Sequence, residues 1–187
     1  MSTAIDFATA AQTLLSSLTA ATSDPADAIR LLSQLTGYKP VNGTSASPIG
    51  QAMGSMQGAT NDLFRRAVVT EMAQAATTYQ PASADDAVRI RDVVCAALDA
   101  EITLAGDQHQ DATFNALRML RAAVVQDLTV RATGLPNIVT VTTPGTMPAL
   151  ALAQQLYRDP SRADELVTQA NCPHPAFMPT SFKALSK

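Results

Sequence analysis

The sequence predicts a mainly α protein, an antiparallel helical bundle followed by a small βααβ module. Alanine-rich segments with apolar residues at helical spacing fill the first part of the chain, and the later ones are joined by short connections. After Pro136 the pattern changes to an alternating, β-branched run, which is typical of a strand. We therefore expect a helical bundle over residues 1–135, with a flexible loop at about 38–60, and the module over 136–187.

Composition limits the kinds of function that are expected. Of the 187 residues, 47% are apolar but only 4% are aromatic, so the core must be thin and aliphatic. The formal net charge is −3 and the basic residues are scattered, whereas binding to nucleic acid requires a clustered basic face. The chain has neither a signal-peptide pattern nor a long apolar stretch. We expect no direct nucleic-acid binding and no membrane contact.

Two helices are predicted before the loop. Residues 6–21 form a weak amphipathic pattern, and its apolar face comprises Phe7, Ala11, Leu14, Leu15 and Leu18. Asp24 and Pro25 then give a strong start signal, because aspartate caps a helix and proline suits its first position. This second helix should end at Gly37.

Residues 38–60 are rich in turn formers, glycine and methionine, which predicts a long loop with at most one short helix. Met53 and Met56 suit an adaptable contact surface, since methionine fits irregular partners. A loop that is merely flexible fits the same residues equally well.

Three longer helices follow, at about residues 60–79, 84–106 and 111–133. Ser83 and Asp86 resemble a capping box at the start of the middle helix. Because the connections are short, neighbouring helices should run antiparallel, which gives the predicted bundle.

The C-terminal module is predicted as strand, two helices and strand. A strand over residues 137–142 leads into a turn at Pro144 and Gly145, and Thr146 is expected to cap the next helix. Ser161 should start the second helix, and residues 182–185 form a plausible return strand. The expected core is Val139, Val141, Leu152, Leu156, Leu166 and Leu185.

Catalytic and metal-binding patterns are missing from the sequence. His109 and His174 have no partner at ligand spacing, and neither a phosphate-binding glycine loop nor a nucleophile elbow occurs. Cys95 fits a core position and Cys172 lies in a proline-rich turn; these two cysteines form no disulfide framework, and a bond between them stays open. We expect a protein that is not an enzyme and binds neither cofactor nor metal.

Several blocks in the C-terminal part carry a family resemblance: Asn115–Val125, Thr146–Leu150, Leu156–Asp159, Ser161–Leu166 and Asn171–Pro179. Through them, residues 113–186 resemble the C-terminal part of the DNA circularisation (DNA circulation) proteins of Mu-like tailed phages. The layout of the module is also similar to the LysM module. Thr180 and Ser181 depart from the family pattern, in which glycine usually follows the final proline.

The resemblance implies a structural component of a contractile-tail baseplate or hub that acts by protein–protein docking. Its partners would be other phage tail and baseplate proteins and further copies of itself. It would reside in the virion after synthesis in the host bacterial cytoplasm. The candidate docking turns are formed by Gly145, Thr146, Asn171, Pro173, His174, Pro175 and Phe177.

Two alternatives remain at this stage. A LysM-type module can bind peptidoglycan, and Phe177 is the aromatic residue near the turns that could stack on a sugar. Pro173, His174 and Pro175 are better explained by a rigid turn that positions the final strand and in which the histidine hydrogen-bonds locally. The family name suggests DNA circularisation or protection of genome ends, an alternative that the acidic charge balance disfavours.

Overall fold

A computed structural model of the protein describes residues 2–37 and 46–186. Within these residues the chain forms seven α-helices and one sheet of two antiparallel strands, which confirms the mainly α class. The elements follow in the order α1 (Ser2–Ala20), α2 (Pro25–Thr36), α3 (Pro48–Thr78), α4 (Ala84–Asp107), α5 (Asp111–Ala132), β1 (Ile138–Thr142), α6 (Ala149–Tyr157), α7 (Ala163–Ala170) and β2 (Ser181–Leu185). A 3₁₀ turn, Pro160–Arg162, lies between α6 and α7.

The chain divides into two compact units. The helical unit comprises Met1–Gln80 and Val88–Val130, and the C-terminal unit comprises Pro81–Ala87 and Arg131–Lys187. The first turn of α4 therefore belongs to the same unit as the strands, although it lies far from them in sequence.

An aliphatic cluster forms the core of the helical unit. Its largest fully buried side chains are Leu15, Ile29, Leu32, Met72, Leu98 and Leu128. Phe64 and Phe114 pack at its edge and are only partly buried. The low aromatic content is thus matched by a core that depends on branched aliphatic side chains and close packing over alanine.

Helix α2 begins and ends where its sequence signals lie. The Asp24 carboxylate accepts the Ala26 amide at 2.8 Å, Pro25 occupies the first turn, and Gly37 caps the end. The predicted apolar face is also present, since Ile29 and Leu32 are buried and Leu35 packs against the core.

Helix α1 buries less of its apolar face than expected. Leu15 is fully buried, but Leu14 is 59% exposed and Phe7 is 46% exposed. Neighbouring positions on a helix point about 100° apart, so Leu14 and Leu15 cannot both face α3, against which α1 packs.

The loop predicted at 38–60 is wrong from residue 48 onward. Helix α3 begins at Pro48, and the Ser47 hydroxyl caps it by accepting the Gly50 amide at 3.1 Å. Serine followed by proline is a start signal equivalent to the aspartate and proline of α2. It was overlooked because the glycines that follow favour a loop on sequence grounds. Residues 38–45 of the predicted loop lie outside the described residues.

A buried ion-pair network links α3 to α4. Glu101 is only 3% exposed, and its carboxylate accepts a hydrogen bond from Nε of Arg65 at 2.7 Å. Arg65 also pairs with Asp62, while Arg66 donates to the side chains of Gln110 and Gln108. The network fixes α3 against the end of α4 by directional bonds as well as apolar packing.

Helix α4 starts with the predicted capping pattern. The Ser83 hydroxyl accepts the Asp86 amide at 3.1 Å, and the Asp86 carboxylate accepts the Ala82 amide. The helix ends at Asp107, and His109 then adopts a left-handed conformation with φ 56°. The amides of His109 and Gln110 return to carbonyls of the last turn, at 3.0 Å and 2.9 Å, and α5 follows.

The two strands of the C-terminal unit pair in antiparallel register from Ile138 with Leu185 to Thr142 with Ser181. The core of the C-terminal unit consists of Ala149, Leu152, Ala153, Leu166, Met178, Phe182 and Ala184. Val141 and Leu156 pack against it as expected, and Leu185 is also buried. Val139 is 41% exposed, contrary to prediction, although its partner on β2, Ala184, belongs to the cluster.

Two predicted caps in this unit are wrong. Pro148, not Thr146, precedes α6 and makes no side-chain cap. Asp159, not Ser161, caps the 3₁₀ turn, because its carboxylate accepts both the amide and the hydroxyl of Ser161. These hydrogen bonds hold the pKa of Asp159 below its usual range.

Candidate docking site

The first candidate turn joins β1 to α6. The Thr143 amide donates to the Thr180 carbonyl at 2.8 Å, which continues the pairing of the strands by one residue. The Thr143 hydroxyl donates to the Gly145 carbonyl at 2.9 Å and closes the turn. Thr146 is exposed at its tip. A Cβ atom at Gly145 would meet nothing within 4 Å, so close packing does not demand glycine there.

The second candidate turn begins where α7 ends. Asn171 takes a left-handed conformation with φ 48°, and its amide returns to the Thr168 carbonyl. The Cys172 amide returns to the Val167 carbonyl at 3.1 Å, which completes a Schellman motif. Asparagine suits this position, because it tolerates the left-handed region better than most residues. The helix end thus directs the chain into the proline-rich segment.

Internal hydrogen bonds fix the proline-rich segment. The Ala176 amide donates to Nδ1 of His174 at 3.1 Å, and the Phe177 amide donates to the His174 carbonyl. The Cys172 thiol lies 3.3 Å from the His174 carbonyl oxygen and 3.5 Å from that of Phe177. Both side chains with reactive potential, the thiol and the imidazole, are therefore engaged in shaping the turn. This geometry is that of a rigid turn with a locally bonded histidine.

The two turns lie side by side. The Ala149 amide, at the N-terminus of α6, donates to the Pro175 carbonyl at 2.7 Å. The Met178 amide donates to the Met147 carbonyl at 3.1 Å, and the Met178 side chain is completely buried beneath the turns. The structure therefore brings the predicted segments together, and a backbone carbonyl takes the place of the missing side-chain cap on α6.

The surface formed by the turns carries exposed apolar side chains and no lysine, arginine, aspartate or glutamate. Phe177 is 69% exposed and Leu150, in the first turn of α6, is 63% exposed. Pro173, His174 and Pro175 are exposed beside them. The sequence from 137 to 157 and from 166 to 182 has no lysine, arginine, aspartate or glutamate. Recognition here would depend on apolar contacts and backbone groups. Leu150 was not among the candidate docking residues predicted from the sequence, although the expected core also left it out.

The rings of His174 and Phe177 form a pair on this surface. The ring centroids of His174 and Phe177 are 5.5 Å apart and the planes are tilted by 45°. Such a pair offers an aromatic edge to a partner while the backbone beneath it stays fixed.

A second cluster supports the unit from the other end of α6. The Arg162 guanidinium lies 3.7 Å over the Tyr157 ring and makes two hydrogen bonds to Glu165, at 2.8 Å and 2.6 Å. The Tyr157 hydroxyl donates to the Leu185 carbonyl at 2.9 Å. The pKa of Arg162 is raised, mainly by its hydrogen bond to Glu165. These contacts join α6, α7 and β2.

The segment Pro81–Ala87 also supports the C-terminal unit. The Asp85 carboxylate accepts the Ile138 amide at 2.6 Å, and the Ala84 amide donates to the Pro136 carbonyl at 3.0 Å. Asp85, in the first turn of α4, therefore holds the first residue of β1.

Residues 2–37 and 46–186 hold no group of three or more histidine, cysteine, aspartate or glutamate side chains arranged for a metal ion. Cys95 and Cys172 are both free thiols. Of the helices described, none combines the length and the apolar character that crossing a bilayer requires. No family model matches the chain, and no curated protein matches it either.

Proposed function

We propose that the protein is a structural assembly protein of a contractile phage tail, placed in the baseplate or hub and acting by protein–protein docking. The helical unit would pack as an antiparallel bundle among neighbouring subunits, and the C-terminal unit would serve as a LysM-like docking module. Its partners would be other tail or baseplate proteins and further copies of the chain.

The observation that carries this proposal is the surface of the paired turns. Phe177 and Leu150 are exposed on two turns whose backbones are hydrogen-bonded to each other. Exposed apolar side chains on a rigid support are typical of a docking surface, because little entropy is lost when the partner binds. The sequence resemblance of residues 113–186 supplies the setting in a phage tail.

Mass spectrometry of purified virions tests the setting. We expect the full polypeptide to be present in the particles and to remain with tails after they are separated from heads. Absence of the polypeptide from both the purified virions and the separated tails would refute the proposal.

Substitution of Phe177 by alanine tests the surface. We expect the Phe177→Ala protein to fold normally, because the side chain is exposed, and to be incorporated into tails at a level reduced by about tenfold or more, as for the loss of an aromatic anchor. Val139→Ala is a matched control in the same unit, since Val139 is also exposed but lies on β1, away from the turns. Equal incorporation of the two variants would exclude the paired turns as the docking surface.

Peptidoglycan binding is a second candidate, favoured by the exposed ring pair of His174 and Phe177 at the junction of the turns. Carbohydrate binding often uses an exposed aromatic face, although only one ring pair is present here. Retention of the protein on purified peptidoglycan, lost in the Phe177→Ala variant, would support this candidate. Failure of the wild-type protein to be retained would eliminate it and leave the docking proposal intact.

A further inference from the structure

The hydrogen bonds between β1 and β2 show which main-chain groups face outward from the sheet. The Ser186 amide donates to the Asn137 carbonyl at 2.7 Å, and the Thr143 amide donates to the Thr180 carbonyl at 2.8 Å. Both bonds join residues that lie opposite each other when the register is extended by one residue at each end. In an antiparallel pair such positions alternate with positions whose amide and carbonyl point away from the neighbouring strand. Every second residue of β1, starting from Ile138, therefore directs its main-chain groups outward.

Two further bonds agree with this alternation. The Ile138 amide donates to the Asp85 carboxylate and not to β2, and the Leu185 carbonyl accepts the Tyr157 hydroxyl and not an amide of β1. Ile138 and Leu185 are partners in the register, and both belong to the outward-directed set. At this end of the sheet the C-terminal unit therefore supplies partners for outward-facing groups on both strands.

Thr140 and Thr142 are the remaining outward-directed residues of β1. Both are exposed, and no hydrogen bond within residues 2–37 and 46–186 uses their main-chain amides or carbonyls. The other strand is better covered, since α7 packs against β2. The outer edge of β1 thus presents unpaired N–H and C=O groups that recur about 7 Å apart. Another extended chain is the ligand that matches this spacing.

Lys183 adds a positive charge beside this edge. It lies opposite Thr140 in the register, on the face of the sheet that points away from the buried Phe182 and Ala184. Lys183 is exposed, and it forms no ion pair with any carboxylate in the described part of the chain. Neighbouring strands are about 4.8 Å apart, so the long lysine side chain can pass over Thr140 to a strand added beside β1. An acidic residue opposite Thr140 would complete the pair.

We propose that the outer edge of β1 at Thr140 and Thr142 binds an extended segment of a partner protein as a third strand. An antiparallel segment exchanges both main-chain bonds with each of these residues and gives the more stable pairing. Its residue opposite Thr140 is acidic and faces Lys183, and the residues on either side are β-branched, as strands favour. The segment ends before Ile138, because Asp85 already holds that amide.

A second copy of the chain fits this edge less well. Two β1 strands related by a two-fold axis through Thr140 would direct the Ile138 amide of each copy at the Thr142 carbonyl of the other. Asp85 holds that amide at 2.6 Å, so the pairing would be lost at both ends. Charged side chains beside an edge strand oppose edge-to-edge pairing. The segment therefore comes from a different protein, and the inference rests on the proposed assembly role only for the identity of that protein.

Nuclear magnetic resonance of the isotopically labelled full chain tests the open edge. In the free protein the amides of Thr140 and Thr142 should exchange with deuterium faster than those of Val139 and Val141, which bond to β2. The probe is the synthetic peptide Val-Thr-Val-Glu-Val with both ends blocked. At millimolar concentration it should shift the resonances of the Thr140 and Thr142 amides and slow their exchange. Outward amides that are already protected in the free protein, or a peptide that shifts neither, overturn the proposal.

Thr140→Pro removes one outward amide and leaves the bonds to β2 in place, as proline allows on an edge strand. This variant should fold and bind the peptide with a dissociation constant at least about tenfold higher. Thr140→Val keeps the amide at the same position and should bind like wild type, so equal binding by the two variants would contradict strand addition. Val139→Ala leaves every main-chain group in place and should likewise bind normally, because main-chain bonds provide the affinity.

Lys183→Glu tests the charge and remains informative if the proline variant does not fold. It should raise the dissociation constant of the peptide by about threefold, and a peptide with lysine in place of glutamate should restore the binding. Equal affinity of both peptides for the wild-type protein would refute the acidic segment. Protection of the Thr140 amide that grows with protein concentration alone would assign the edge to a second copy and overturn the proposal. These measurements need no virions, so absence of the chain from particles would refute the proposed function alone.

Discussion

Glu101 is the one acidic side chain that the described core buries almost completely, and two arginines accompany it. Burial acts to lower the pKa of Arg65, but hydrogen bonds to Glu101 and Asp62 outweigh it and raise the pKa. Nε of Arg66 and Oε2 of Glu101 are buried 3.8 Å apart and make no hydrogen bond. The site therefore depends on the full negative charge of the carboxylate.

Neutralising Glu101 should be strongly destabilising. We expect Glu101→Gln to lower the free energy of unfolding by about 3 kcal/mol, because two arginines then lack their buried counter-charge. Asp99→Asn, which weakens the exposed pair with Arg121, should cost far less, because solvent screens surface ion pairs. Urea unfolding of both variants makes the comparison, and equal losses would show that the buried network has no special role.

Ionisation of Tyr157 should make the C-terminal unit less stable at alkaline pH. Burial raises the pKa of Tyr157 above its usual value of 10.0, against the opposing effect of Arg162. A raised pKa means that the folded state holds the proton more tightly, so the contribution is complete below about pH 10 and is lost as the pH rises through the folded pKa.

The Tyr157→Phe variant isolates this contribution. Near neutral pH it should be less stable by about 1 kcal/mol, since it lacks the hydrogen bond to the Leu185 carbonyl. The difference from wild type should shrink above about pH 10, where tyrosine ionises. Chemical unfolding at a series of pH values measures it, and a constant difference across the series would contradict the interpretation.

At the scale of the element, local signals predicted some boundaries and not others. Helix α2 was predicted correctly because aspartate, proline and glycine act on the backbone within one turn. The start of α3 carries an equivalent Ser47 and Pro48 signal, but its glycines have low helix propensity and favour a loop on sequence grounds. The amide of α6 that bonds to Pro175 could not be predicted, because the partner comes from a turn 26 residues away.

The same limit applies to the docking site. The proline-rich segment was identified as a rigid turn from its composition, and the hydrogen bonds of His174 and Cys172 agree with that hypothesis. Leu150 lies outside the core expected from the periodicity of α6 and is exposed accordingly. Its place on the surface of the paired turns was not predictable, because periodicity does not show how the backbones of the two turns pair.

The first turn of α4 contacts β1 through Asp85, and loss of this contact should be detectable at the first residue of β1. Asp85→Ala should destabilise the protein by about 1 kcal/mol through the lost hydrogen bond. The Ile138 amide should then exchange with deuterium faster, as NMR can follow. Asp92→Ala, on the exposed side of the same helix, removes only a surface ion pair and should leave the Ile138 amide protected. Unchanged exchange in Asp85→Ala would contradict this anchoring role.

At the scale of the whole molecule, charge bears on the alternative of DNA binding. The net charge is −3, and described arginines such as Arg65, Arg121 and Arg162 are paired with carboxylates. We expect no shift of duplex DNA in a mobility assay even at low salt, where electrostatic binding is strongest. Retarded DNA that is released by added salt would revive the alternative suggested by the family resemblance.

The bond between Asp85 and the Ile138 amide also orders events during synthesis. A ribosome adding about 5–20 residues per second needs several seconds to pass from residue 85 to the end of β2. During that interval the helical unit can fold, whereas the segment Pro81–Ala87 cannot yet bond to the strands, because they have not been synthesised. The paired turns can consequently take their final arrangement only after β2 has been synthesised, so a nascent chain that lacks β2 cannot present the proposed docking surface.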